Sequence, residues 1–115
     1  MAITEAESGT LTTSGTPNTE ERLNTTDGDT TDGVYQFFLD LNDLAANETL
    51  TVRVYEKIIS SGTMRVIFYD VITGDMAAND EGWVSPSLIL MHGWKITTSV
   101  NAASVSIPWS IRKVA

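Results

Sequence analysis

The chain has 115 residues, of which 42% are hydrophobic, enough for one domain with a real core. It has no cysteine, which excludes a disulfide framework and thiolate metal sites. A net charge of −8 argues against binding a phosphate backbone or an anionic membrane, and suits solubility or a basic protein partner.

The start, MAITEAESGT, carries two Glu and no basic residue, unlike the n-region of a secretory signal. Residues 1–32 hold ten Thr, seven acidic residues and one basic residue, Arg22. Their large apolar residues are only Met1, Ile3, Leu11 and Leu23. This composition predicts an extended, hydrated, acidic N-terminal arm over 1–32, outside a sandwich domain over 33–115. Such an arm gains order only when its own sheet or a neighbouring chain holds it. Short strands are expected at Thr10–Thr13 and Arg22–Thr26, because Thr favours strands.

Asp27 to Gly33 reads as a turn, since Asp and Gly supply local hydrogen bonds and positive φ. Val34 to Leu41 follows, with large residues on both parities, as in a strand covered on both faces or lying at an oligomer contact. Asn42 to Glu48 connects onward, with Leu44 dipping towards the core.

The centre of the pattern is residues 49–72. Leu50, Val52, Val54 and Ile58 share one parity, against Thr51, Arg53, Tyr55 and Lys57. Met64, Val66, Phe68 and Ile72 share another, against Arg65, Ile67, Tyr69 and Val71. Period-2 alternation around Ser60-Ser61-Gly62-Thr63 predicts a β-hairpin with one buried face.

Residues 74–82, GDMAANDEG, form a second acidic loop. Trp83 to Met91 reads as a strand with Pro86 inside it, hence an edge or bulged strand. Its run Leu88–Met91 is the longest strongly apolar one, far short of the roughly 20 residues of a membrane span. His92-Gly93 turns into a strand at 94–100, and Asn101–Ala103 turns into another at 104–114. There Pro108 again points to an edge. No stretch keeps a helical period. Six strands, with up to two more in the arm, predict an all-β antiparallel sandwich of jelly-roll type.

Asp27, Asp29 and Asp32 are the candidate metal ligands, since three close carboxylates suit a hard cation. Their spacing does not fit an EF-hand loop, and a plain acidic turn is the commoner explanation. The same holds for Asp75, Asn79, Asp80 and Glu81. His92 is the only histidine, so any nucleophile–His–carboxylate triad would need it. Nothing in the pattern singles out its partners. Trp83, Trp94 and Trp109, with Tyr35, Tyr55 and Tyr69, could form a sugar-stacking face; core packing and interface anchoring are the commoner uses. Arg53, Lys57, Arg65 and Lys95 fall on outward parities and could pair with Glu56, Asp70 or the arm. No catalytic or cofactor motif is present, so a non-enzymatic role without cofactor is expected.

The segment GVYQFFLDLNDLAANETLTVRVYEKIISSGTMRVIFYDV, followed by WVSPSLILMHGWKITTSVNAASVSIPWSIRKV, resembles small virion structural proteins of tailed bacteriophages. The shared cadence runs through Thr31-Asp32-Gly33-Val34-Tyr35, Asn42-Asp43-Leu44, Ser60-Ser61-Gly62-Thr63 and Pro108-Trp109-Ser110, over roughly residues 30–114. The resemblance implies a capsid decoration (cement) protein, made in the bacterial cytoplasm and seated on the virion surface. Its partners would be the major capsid protein and copies of itself, for instance as a homotrimer, and not nucleic acid or membrane. Leu11, Leu23, Trp83 and Trp94 are the expected contact residues. A head–tail or tail-associated virion protein and a carbohydrate-binding module are the alternatives.

Overall fold

The structure, a computed structural model, describes residues 2–74 and 82–114. Its strands are β1 (Ile3–Thr12), β2 (Glu21–Arg22), β3 (Gly33–Asp40), β4 (Thr49–Lys57), β5 (Met64–Thr73), β6 (Gly82–Val84), β7 (Leu88–Leu90), β8 (Trp94–Val100) and β9 (Ser106–Val114). They form two antiparallel sheets, and the described residues contain no helix. The first sheet runs β1-β9-β3-β6, with β7 also paired to β3; the second runs β2-β8-β4-β5.

The pairing is nested. β4 and β5 form the expected hairpin. Around it β3 pairs with β6 and β7, β2 with β8, and β1 with β9. Rolling this ribbon over adds the β3–β9 and β4–β8 ladders. Counting β6 and β7 as one interrupted strand, the described residues form an eight-stranded jelly roll. The interruption falls at Ser85-Pro86-Ser87, as the proline predicts. Ser85 spans it: its N–H donates to Phe37 O, and Phe37 N–H donates to Ser85 Oγ, both at 2.9 Å.

The alternation of β3, β4, β8 and β9 builds the core. Tyr35, Phe37 and Leu39 face Leu50, Val52 and Val54 across the sandwich, with Trp94, Ile96, Val100, Ile107 and Ile111 filling the space between. Trp94 lies 4.8 Å from the Tyr35 ring and donates Nε1–H to Thr31 O at 3.2 Å. An indole can thus be buried with its one donor satisfied. Leu44 is buried as expected. Gly93 turns β7 into β8 at φ +104°, a conformation that costs a side-chain-bearing residue and suits glycine.

Residues 1–32 supply a strand to each sheet. β1 runs along β9 from Ile3↔Val114 to Thr12↔Ser106, and β2 pairs Glu21 and Arg22 with Thr98 and Thr97. Thr13, Leu23 and Asn24 are buried. Of the two holders expected for an acidic Thr-rich segment, the chain's own sheets serve here.

Three local expectations are corrected. Pro108 lies in β9, which sits between β1 and β3 rather than at an edge. The proline is tolerated because β3 pairs β9 only from Trp109 onward, so Pro108 has a ladder partner, Thr10 of β1, on one side alone. In β5 a bulge opposite Val54/Tyr55 leaves Ile67 without a partner and pairs Tyr55 with Val66. Val66 is thereby turned outward and exposed, while Ile67 packs against the core. Ile58 lies beyond the end of β4 and is 64% exposed instead of buried.

Candidate contact surface

On the outer face of the first sheet, strand registers align four aliphatic residues in one row. Ile3 pairs with Val114, Val114 with Val34, and Val34 with Ile89. The row crosses β1, β9, β3 and β7 without a polar residue. Its ends, Ile3 and Ile89, are 68% and 77% exposed. Residues in one row of a pleated sheet share a face and touch their cross-strand neighbours. A solvent-facing sheet surface would carry polar residues there.

Beside the row lies a shallow cavity of about 140 Å³ lined by Ile3, Val34, Phe38, Val114, Gln36 and Arg112. The Arg112 guanidinium lies 3.7 Å from the centroid of the Phe38 ring and caps it. Across from it Glu5 bonds Ser110 Oγ at 2.7 Å. Hydrogen bonds from Ser110 and Ser8, and the nearby Arg112 charge, hold the Glu5 carboxyl below its ordinary value despite slight desolvation.

The same end of the sandwich carries the β4–β5 tip and the β7–β8 turn, joined by Lys57 N–H donating to Gly93 O at 3.1 Å. Ile58, Ile59 and Met91 are exposed there. Glu56 anchors the turn: its buried Oε2 accepts the N–H groups of Met91 (2.6 Å) and His92 (3.1 Å). An inward carboxylate in an apolar strand is the element that parity missed, and it is explained by the two turn donors it satisfies.

A second polar cluster lies on the outer face of the other sheet. Glu20 accepts hydrogen bonds from Tyr55 OH and Thr97 Oγ1, both at 2.5 Å. Burial raises the Glu20 carboxyl's pKa, but these bonds and the charges of Arg53 and Lys95 outweigh it and leave it lowered. Tyr55 moves the opposite way, raised by burial and by its bond to Glu20. Lys95 pairs with Asp27 at 3.8 Å, as does Arg22 at 4.0 Å. Of the outward cations, Lys95 therefore meets an acidic residue of the N-terminal segment, one of the partners expected for it. Asp70 instead accepts the Trp83 indole N–H.

The sequence candidates separate in space. Asp27 is drawn to Arg22 and Lys95, while Asp29 accepts Thr31 N–H at 2.9 Å within its own turn. Among the described residues no three His, Cys, Asp or Glu side chains converge on a common point. Asp75, Asn79, Asp80 and Glu81 lie outside the described residues. His92 is fixed through its backbone at the β7–β8 turn.

Of the four expected contact residues, Leu23 is 6% and Trp94 1% exposed, so both serve the core and offer no surface. Leu11 and Trp83 are half-buried and pack against the core from its margins. Trp83 stacks near Phe68. Trp109 and Tyr35 also belong to the core or its edge, which leaves, of the six aromatic residues considered for sugar stacking, the half-buried Tyr55, engaged by Glu20 and Lys95, and the exposed Tyr69. The residues missed by sequence reading are Ile3, Val34, Ile89 and Val114. Each looks ordinary in its own strand, and only register brings them together.

No protein-family model matches this chain, and no curated protein matches it. The fold and surface define a jelly-roll domain with an aliphatic row on one outer face.

Proposed function

We propose that the chain is a non-enzymatic virion structural protein, a capsid decoration protein that binds and stabilises a phage capsid shell. The observation that supports this is the Ile3–Val114–Val34–Ile89 row. An unbroken aliphatic row on an otherwise acidic chain is a surface suited to burial against a protein, and apolar anchors at the centre of a contact carry most of its binding energy. The acidic remainder favours a basic shell surface around the contact. Many equivalent lattice sites would multiply a modest single contact. The jelly roll supplies rigidity, and the cluster of exposed aliphatics at one end gives an end-on or face-down seat.

The test is cryo-EM of capsids prepared with and without the chain, alongside the variants Val34→Lys and Ile89→Lys. Copies on the capsid lattice, with the first sheet facing the shell and occupancy lost in either variant, are expected. Density confined to the portal or tail axis would assign the protein to the head–tail machinery. Absence from the particle would overturn the virion reading.

A further inference from the structure

Among the described residues nine large apolar side chains are exposed, and five of them, Ile58, Ile59, Val66, Tyr69 and Val71, belong to the β4–β5 hairpin. β5 closes the second sheet, and its outer edge pairs with no other strand among the described residues. A ten-residue edge strand with an apolar outward face is a template for another strand.

The bulge says which strand fits. Val66, Tyr69 and Val71 face outward; Phe68, Asp70 and Ile72 take the inward parity, and so does the bulged Ile67. The two consecutive inward residues, Ile67 and Phe68, break the alternation. A regular partner strand would therefore match β5 on one side of the bulge and oppose it on the other. A second β5, antiparallel and related by a two-fold axis between Ile67 and Phe68, matches on both sides. This register sets Val66 opposite Tyr69 and Ile67 opposite Phe68. It also sets Arg65 opposite Asp70, a pair of opposite charge made twice. Shifting the register by one or two residues in either direction puts inward residues opposite outward ones.

We infer that the chain self-associates through β5 as a two-fold dimer with the second sheet continuous across both copies. The contact is isologous and closes on itself. In the separate chain Asp70 Oδ1 accepts Val71 N–H at 2.9 Å and Oδ2 accepts Trp83 Nε1–H at 2.9 Å. Pairing exchanges the first of these bonds for the partner's backbone and Arg65, and leaves the Trp83 bond in place. The outward faces then merge Val66, Tyr69 and Val71 of both copies into one aliphatic–aromatic strip, with cross-strand pairs of the stabilising type.

The absence of native cysteine makes a register test clean. A Val66→Cys chain is mixed with a Tyr69→Cys chain and oxidised mildly. In the inferred register positions 66 and 69 are directly opposed, within disulfide reach, whereas position 66 lies about 10 Å along the strand from position 66 of the other copy. Cross-links between unlike chains are expected to exceed those between like chains several-fold. Sedimentation of the unmodified protein should show mass rising from 12.5 kDa to about twice that with concentration. Val66→Lys, an exposed substitution that keeps the fold, should hold it at the monomer mass. A monomer at every concentration, a trimer, or like-chain cross-links in equal yield would each overturn the inference.

Discussion

The indole N–H of Trp83 donates to the carboxylate of Asp70 at 2.9 Å, tying β6 at the margin of one sheet to β5 at the margin of the other. Trp83 also lies 6.1 Å from the Phe68 ring, centroid to centroid. Trp83→Phe keeps an aromatic ring there and removes the donor. The variant should lose about 1.5–3 kcal/mol, the range for a hydrogen bond to a charged group. Urea unfolding of the two proteins measures it; an unchanged midpoint would show that the inter-sheet bond contributes nothing.

The Glu20 carboxyl is held below its ordinary value of 4.5. A lowered folded value means that the unfolded chain binds the proton more readily. The associated stability is therefore complete above the unfolded value and is lost as pH falls from about 4.5 through the lowered folded one. Glu5 shifts in the same direction and adds to the slope. Glu20→Gln should flatten this acid limb and lower stability at neutral pH. Denaturation midpoints collected from pH 7 to pH 3 would reveal it, and parallel curves for the two proteins would refute the assignment.

Gly74 forms an isolated parallel bridge with Ala46 beside the β3–β4 connection. A Cβ there would sit 2.4 Å from Ala45 O and 2.7 Å from Leu44 O. Gly74→Ala must push backbone aside and is expected to cost about 1–3 kcal/mol, in the range of overpacking. Gly15→Ala, with nothing near its Cβ, is the control and should leave the thermal midpoint almost unchanged.

Deleting residues 1–12 removes β1 and bares the outer edge of β9 along its whole length. The shortened chain should lose its cooperative thermal transition or aggregate, because an exposed long edge recruits other chains. A truncated protein that melts like the intact one would mean that β1 rests on the sandwich without supporting it.

Leu50→Ala and Ile58→Ser separate core from surface within one hairpin. Leu50 is fully buried, and its truncation should cost about 2–5 kcal/mol. Ile58 is exposed, and its replacement should stay within about 0.5 kcal/mol. Calorimetry on the pair checks both.

Much of this architecture is a local property of the chain. Leu50, Val52 and Val54 alternate with polar neighbours, and only a strand puts them on one face, so β4 was legible without a structure. The same holds for β8 and β9, for the β4–β5 loop, for the break at Pro86 and for the all-β class with its jelly-roll character. What the tertiary structure decided depends on partners far away in sequence. The bulge that turns Val66 outward exists only relative to β4. Pro108 is acceptable inside a sheet because the β3–β9 ladder ends at Leu39 and Trp109, one residue short of it. Leu23 and Trp94 are core residues because rolling the ribbon closes over them. Residues 3, 34, 89 and 114 become one surface because three ladders happen to align. Side-chain periodicity is set within a strand by backbone geometry, whereas register and layer are set by which strands meet. The amino-acid sequence therefore declares the strands and their inner faces, and the assembled sandwich determines which apolar residues remain outside.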